Sequence, residues 1–276
     1  MDRVLLSAGQ GNLEACVDLA LDYNLGIEVM AFAFPALLDG DWQSALAAHK
    51  KLLSPIRGLL TLHGPFMDMA PGSPDPQIKQ ITVERYQHAI RIASELRAEV
   101  IVFHANFIAA IHNIEYRVGW HKRNLDFWGK MANYAERYGV TIAVENMWEF
   151  DPYIIADVLK EVNHAYLRAC LDVGHAHLFS DEEFPFDLWL RTIEPWLVHT
   201  HMNNNNGKID VHHGLHDGVL DYHRILEQIR SLPNPPTITL EMDQVSDMKA
   251  SLYFLQLPQP TEHLHRLAYE TPSPDV

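Results

Sequence analysis

TIAVENM, residues 141–147, is a continuous apolar run that ends on a carboxylate, Glu145. Ahead of it, 117–138 carries apolar residues at helical spacing and ends before Gly139, and behind it 153–164 shows the same helical pattern. A short run with no polar alternation, framed by two amphipathic segments, reads as a parallel strand covered by helices on one side and packed into a core on the other.

The pattern repeats along the chain. Strand-like runs occur at VLLS (4–7), IEVMAF (27–32), GLLTLHG (58–64), EVIVFHA (99–105), TIAVENM, LRACLDVG (167–174), LVHTHM (197–202) and TITLEM (237–242). Helical patterns separate them at 11–24, 41–52, 77–97, 117–138, 153–164, 186–195 and 221–231, and a last one follows at 246–256. Strand and helix alternate eight times, which predicts an α/β chain folded as a single (β/α)8 TIM barrel, a solution typical of about 250 residues. Gly26 and Gly139 each stand between a helical segment and a strand, where a residue with positive φ is expected. No linker divides the chain, so residues 1–276 are read as one domain. The segment 258–276 reads as a partly irregular C-terminal extension with a short helix near 261–269.

Composition narrows the function classes. The 276 residues are 47% hydrophobic, enough for a full core, and the net charge is −15 with no basic run. That field repels polyanions, so nucleic acid is a poor partner. No apolar run approaches the roughly 20 residues of a membrane span, and MDRVLLSAGQ lacks a signal-peptide core. Cys16 and Cys170 have no metal-type spacing and read as free thiols in a reducing compartment. A cytoplasmic protein follows as the expectation, and a homo-oligomer is compatible with it.

The polar residues that close the runs carry the chemistry. His63, His104, Glu145, Asp172, His175, His201 and Glu241 fall at strand ends, and Asp210 and His212 follow in the loop 203–220. In a (β/α)8 barrel the loops after the strands build the active-site face, so these side chains converge by topology. Imidazoles and carboxylates in such number are ligands for zinc or manganese, with magnesium or cobalt as further candidates. Glu145 and Asp172 strengthen the case, because a carboxylate after a buried run needs a close partner for its charge. His199 shares a strand face with His201 one layer deeper in the barrel, and His177 reads as an outer or surface residue. Phe32, Phe66, Phe107 and Trp148, near strand ends, could wall a sugar face, although aromatics at such junctions usually just pack.

The run HGPF, FHAN, VENM, LDVGHAH, HTHMNNNNGKIDVHHGLHDGVLDY and LEM resembles the xylose-isomerase-like TIM barrels over about residues 4–245. That superfamily joins sugar isomerases and epimerases with the endonuclease IV type of apurinic/apyrimidinic endonuclease. In the epimerase-like branch the resemblance implies one divalent ion held by Glu145, Asp172, His201 and Glu241, with Glu145 and Glu241 as base and acid on opposite faces of the substrate. It implies substrate contacts from His63, His104, Trp148 and Lys208. In the endonuclease-like branch it implies three zinc ions on nine ligands, with His63, His104, His175, Asp210 and His212 added. Two positions depart from the family: its Gly-Glu-Gly turn reads His216-Asp217-Gly218 here, and Gly207-Lys208 stands where epimerases carry an Arg.

The function expected is therefore a divalent-metal-dependent sugar, or sugar phosphate, isomerase or epimerase with one to three ions and a small carbohydrate substrate. The alternative is a multi-zinc phosphoester hydrolase, since three ions would leave the cluster cationic and one would leave it anionic. A metal-stabilised barrel that only binds is the third reading.

Overall fold

The computed structural model describes residues 3–9 and 11–257. Eight parallel strands close into a barrel in sequence order: β1 (Val4–Ala8), β2 (Gly26–Val29), β3 (Leu60–His63), β4 (Val100–His104), β5 (Thr141–Glu145), β6 (Leu167–Asp172), β7 (Leu197–Met202) and β8 (Thr237–Leu240). Closure comes from β1 on β8, with Val4 opposite Ile238 and Leu6 opposite Leu240.

The helices are α1 (Leu13–Tyr23), α2 (Pro35–Leu38), α3 (Trp42–Leu53), α4 (Pro76–Leu96), α5 (Ile114–Glu136), α6 (Tyr153–Val162), α7 (Val173–Phe179), α8 (Phe186–Ile193), α9 (Tyr222–Arg230) and α10 (Val245–Phe254). Their starts are set locally. Asp75 accepts from the backbone N–H of Gln77 and Ile78 ahead of Pro76, Asn113 caps α5 through Tyr116 N–H, and Asp221 caps α9 through His223 and Arg224.

Among the described residues, two helices exceed the expected eight. In IEVMAF the strand stops at Val29, a 3-10 turn follows at Ala31–Ala33, and Pro35 starts α2. In LRACLDVG the strand stops at Asp172, whose side chain accepts the His175 N–H and starts α7 at Val173. The helix expected at 261–269 lies outside the described residues.

The expectation for Gly139 holds, at φ +68°, but Gly26 does not adopt positive φ. Asn24 takes the left-handed position after α1, at φ 54°. Gly26 is required by crowding instead, because a Cβ there would lie 2.3 Å from Leu59 O.

The main apolar core lies between barrel and helices, built on side chains such as Ile27, Leu62, Ile101, Ile142, Leu171 and Ile238 against Phe103, Trp128 and Trp189. A second, small cluster holds Val100, Val102, Ala143 and Cys170. Other inward positions are polar, among them Ser7, Glu28, Thr61, His199, Thr237 and Thr239, while Leu5 adds an apolar one. Both free cysteines are buried. Among the described residues no helix is long and apolar enough to cross a membrane.

Candidate metal centre

Strand register brings the predicted ligands to one end of the barrel. His104 pairs with Glu145, and Asp172 with His201, while β3 ends at His63 and Glu241 follows β8. Because side chains alternate along a strand, these residues and those two positions earlier face the lumen in successive layers.

Glu145 is the hub and is fully buried. Its Oε2 lies 3.4 Å from His63 Nε2 and 3.3 Å from His104 Nε2, and its Oε1 lies 3.1 Å from His201 Nδ1 and 3.5 Å from His175 Nδ1. Glu241 Oε2 stands 3.0 Å from the same His201 Nδ1. Asp210 reaches His175 Nε2 at 3.4 Å and His212 Nε2 at 3.4 Å. Among the described residues, several ligand groups have donor atoms within 4.8 Å of one another, including His63, His104 and Glu145; His63, His201 and Glu241; His175, Asp210 and His212; and Glu145, Cys170 and His201.

The surroundings fit a cation. Glu145 Oε2, Glu241 Oε2 and Asp210 Oδ1 are buried without a hydrogen-bond donor, an arrangement that costs free energy unless a cation completes it. His63 Nδ1 is 2.9 Å from Gly64 O, so a proton there leaves the Nε2 lone pair facing Glu145. His175 Nδ1 is 3.0 Å from Asn146 O, which leaves Nε2 for the Asp210 group.

Charge coupling and burial pull the titrating groups of the cluster in opposite directions. Burial alone would lower His201, yet Cys170, Glu241, Glu145 and Glu28 hold it well above the ordinary histidine range. His212 is pushed up to about 9, where Asp210 and Glu241 outweigh burial. Glu241 would be raised by burial, but His201 and His212 bring it down to about 2. Asp172 goes the other way, up to about 6, because burial and the charges of Glu145 and Glu241 exceed the pull of His175. His104 is lowered, chiefly by burial, and is neutral beside an ionised Glu145.

Asp172 is held by groups that sequence reading passed over. Asn146 Oδ1 accepts its N–H and Asn146 Nδ2 donates to its carbonyl, while Asn203 Nδ2 donates to its Oδ2. The asparagine run then builds the loop that delivers Asp210 and His212. Asn204 bridges to His213 and fixes Leu215 and Leu220, Asn205 Oδ1 accepts Gly207 N–H, and Asn206 Oδ1 accepts from Lys208 and Ile209.

Other candidates fall outside this cluster. Phe32 and Phe107 are buried and pack, whereas half-buried Phe66 lies edge-on to His63 at 5.3 Å and 5.1 Å from His104. Trp148 is 45% exposed, Lys208 and His177 are also exposed, and among the described residues none of the three side chains bonds to the nine ligands. In the His216-Asp217-Gly218 turn, Asp217 pairs with His213 at the surface. Glu28 and Cys170 were missed. Glu28 interrupts the apolar run IEVM as Glu145 interrupts TIAVENM, and that signal was present.

A family model described as a xylose isomerase-like TIM barrel matches residues 17–261. The chain belongs to that family. Within this fold, the TTHB071 protein from Thermus thermophilus, described as soaked with ZnCl2, superposes with a TM-score of 0.77 at 29% identity, covering 92% of this chain and 96% of that one. A D-tagatose 3-epimerase-like protein superposes at 0.77 with 22% identity over 93% and 96% of the two chains, so the likeness there is one of fold. The protein MJ1311 of Methanocaldococcus jannaschii is 27% identical over 203 residues, 71% of this chain and 69% of its own. The xylose isomerase-like chain thus shares its barrel fold with an epimerase-like protein and with a protein described as soaked with zinc chloride.

Proposed function

We propose that the protein is a divalent-metal-dependent isomerase or epimerase acting on a small carbohydrate, with Glu145, Asp172, His201 and Glu241 as the ligands of its principal ion. One observation carries this: Glu145 and Glu241 both approach His201 Nδ1, at 3.1 and 3.0 Å, and each keeps one buried oxygen without a donor. Two carboxylates gathered at one imidazole nitrogen are suited to taking a proton from one carbon of a bound sugar and returning it. An ion held by these residues would supply Lewis acidity to a substrate carbonyl or, in the alternative chemistry, to a phosphoryl oxygen.

Glu241, at 7% exposure, borders the mouth, while Glu145 lies beneath it among four imidazoles; proton transfer is therefore assigned first to Glu241. Phe66 gives the site an apolar edge beside His63 and His104. Trp148 and Lys208, on the loops after β5 and β7, are proposed as outer contacts to the substrate. The epimerase fold of the similar structures supports the same substrate class.

A second reading, metal-assisted phosphoester hydrolysis, is favoured by one specific feature. The groups His63/His104/Glu145 and His175/Asp210/His212 are each complete enough to hold an ion of their own. Against it stands the net charge of −15, which opposes a polyanionic substrate.

Metal per chain by mass spectrometry, together with turnover on a panel of ketoses and a phosphodiester, tests the assignment. The expected result is ketose isomerisation or epimerisation that Asp210→Ala/His212→Ala weakens without removing the principal ion. A clean drop of one ion per chain in that double variant, with phosphodiester turnover in the wild type, would establish the hydrolase instead.

A further inference from the structure

Beneath the ligand layer the barrel lumen holds a carboxylate that no step above uses. Glu28, on β2, is fully buried, and its Oε2 accepts from Thr61 Oγ1 at 2.8 Å and Thr239 Oγ1 at 2.9 Å and lies 2.7 Å from His199 Nε2. Strands β3, β7 and β8 therefore all anchor one oxygen. The other, Oε1, lies 2.9 Å from His201 Nε2; the contact is short but off the hydrogen-bond line, and neither atom has a hydrogen-bond partner elsewhere.

His201 thus stands between two acidic layers, with Nδ1 toward Glu145 and Glu241 above and Nε2 toward Glu28 below. A neutral imidazole has one N–H and one lone pair, and only the lone pair can ligate a metal. Nδ1 is hydrogen-bonded to Glu145 Oε1 at 3.1 Å and lies beside Glu241 as well, so an ion held between those two carboxylates would replace the proton on Nδ1, and the N–H that remains would be the one on Nε2, which faces Glu28 alone. We propose that Glu28 is the positioning residue for His201: it takes the Nε2–H and so aims the Nδ1 lone pair at the point between Glu145 and Glu241. This rests on the metal-dependent function proposed above.

Glu28, His199 and His201 also lie within ligand distance of one another. They do not make a second ion site, because Glu28 Oε2 already receives three partners and His199 Nδ1 is taken by Thr237 Oγ1. Oε2 is thus held by three contacts, and Oε1 is left to face His201 Nε2.

The decisive measurement is the tautomer of His201 in the full-length, zinc-loaded wild type, read from long-range 1H–15N spectra of histidine-labelled protein. A proton on Nε2 and zinc on Nδ1 are expected; the reverse arrangement overturns the proposal. Zinc affinity, measured by competition with a chromophoric chelator, provides the second readout. Glu28→Gln should weaken binding ~10–100-fold, the usual effect of losing a carboxylate behind a ligating histidine. Thr61→Val, which removes a donor from the opposite oxygen only, should stay within about threefold of wild type by the same rule. A folded Glu28→Gln with wild-type affinity would reduce Glu28 to a structural plug, and if that variant fails to fold the wild-type spectrum decides. A wild type that binds no zinc or other divalent ion brings down the function proposed above along with this inference, whereas equal affinities bring down the inference alone.

Discussion

Replacing Glu145 by Gln separates ligand from scaffold at the hub of the site. The substitution keeps side-chain volume, so it opens no cavity in a position that is fully buried. Stripping a buried ion of its partner costs ~3–5 kcal/mol, and the loss here should fall below that because Glu241 and Glu28 remain beside His201. The larger effect is on metal linkage. At ion concentrations ~100 times Kd the wild type gains ~2.7 kcal/mol, and a chain of this size shifts Tm by ~2–4 °C per kcal/mol, giving about 5–11 °C. Loss of a direct ligand weakens affinity by at least the ~100-fold seen for outer residues, which cuts the gain to ~0.4 kcal/mol, or about 1–2 °C. Differential scanning fluorimetry with and without metal, beside circular dichroism and turnover, measures this. A folded variant that keeps the full metal-induced shift refutes Glu145 as a ligand, and a variant unfolded without metal makes it structural.

Three further outcomes are expected. Zinc uptake should release protons near pH 8, because His212 is held protonated up to about 9 and His175 and His201 are also raised; calorimetry in buffers of different ionisation enthalpy should show the release shrinking as pH rises through 9, and a constant release would contradict the assignment. Gly174→Ala places a Cβ 2.1 Å from Asn203 Oδ1, which should cost ~1–3 kcal/mol in denaturant melts and loosen Asp172, with weaker metal binding as the second sign. Lys208→Ala and Trp148→Ala remove exposed side chains, so stability should stay within ~0.5 kcal/mol and metal content should not change while KM rises; a loss of bound metal would place them in the ligand layer.

The barrel and its ligand face were legible in residue order because both follow from local chemistry. An apolar run such as TIAV framed by two helical patterns reads as a covered strand, and a buried charge at its end is costly unless other polar groups converge on it. His63, His104, Glu145, Asp172, His175, His201, Asp210, His212 and Glu241 were therefore expected together as ligands, a role that stays a proposal; the structure gathers their side chains at one end of the barrel, with Asp172 touching the cluster through His175. What residue order left open was which atoms face which. Glu145 as the hub among four imidazoles, Asn146 and Asn203 clamping Asp172, and Glu28 reaching His201 from below all depend on strands far apart in the chain. The left-handed turn at Asn24 in place of Gly26 has the same origin, since Gly26 is required by the carbonyl of Leu59, just ahead of β3. Periodicity determines that a side chain points into the lumen; only barrel closure, which fixes register across β2, β7 and β8, decides what it meets there.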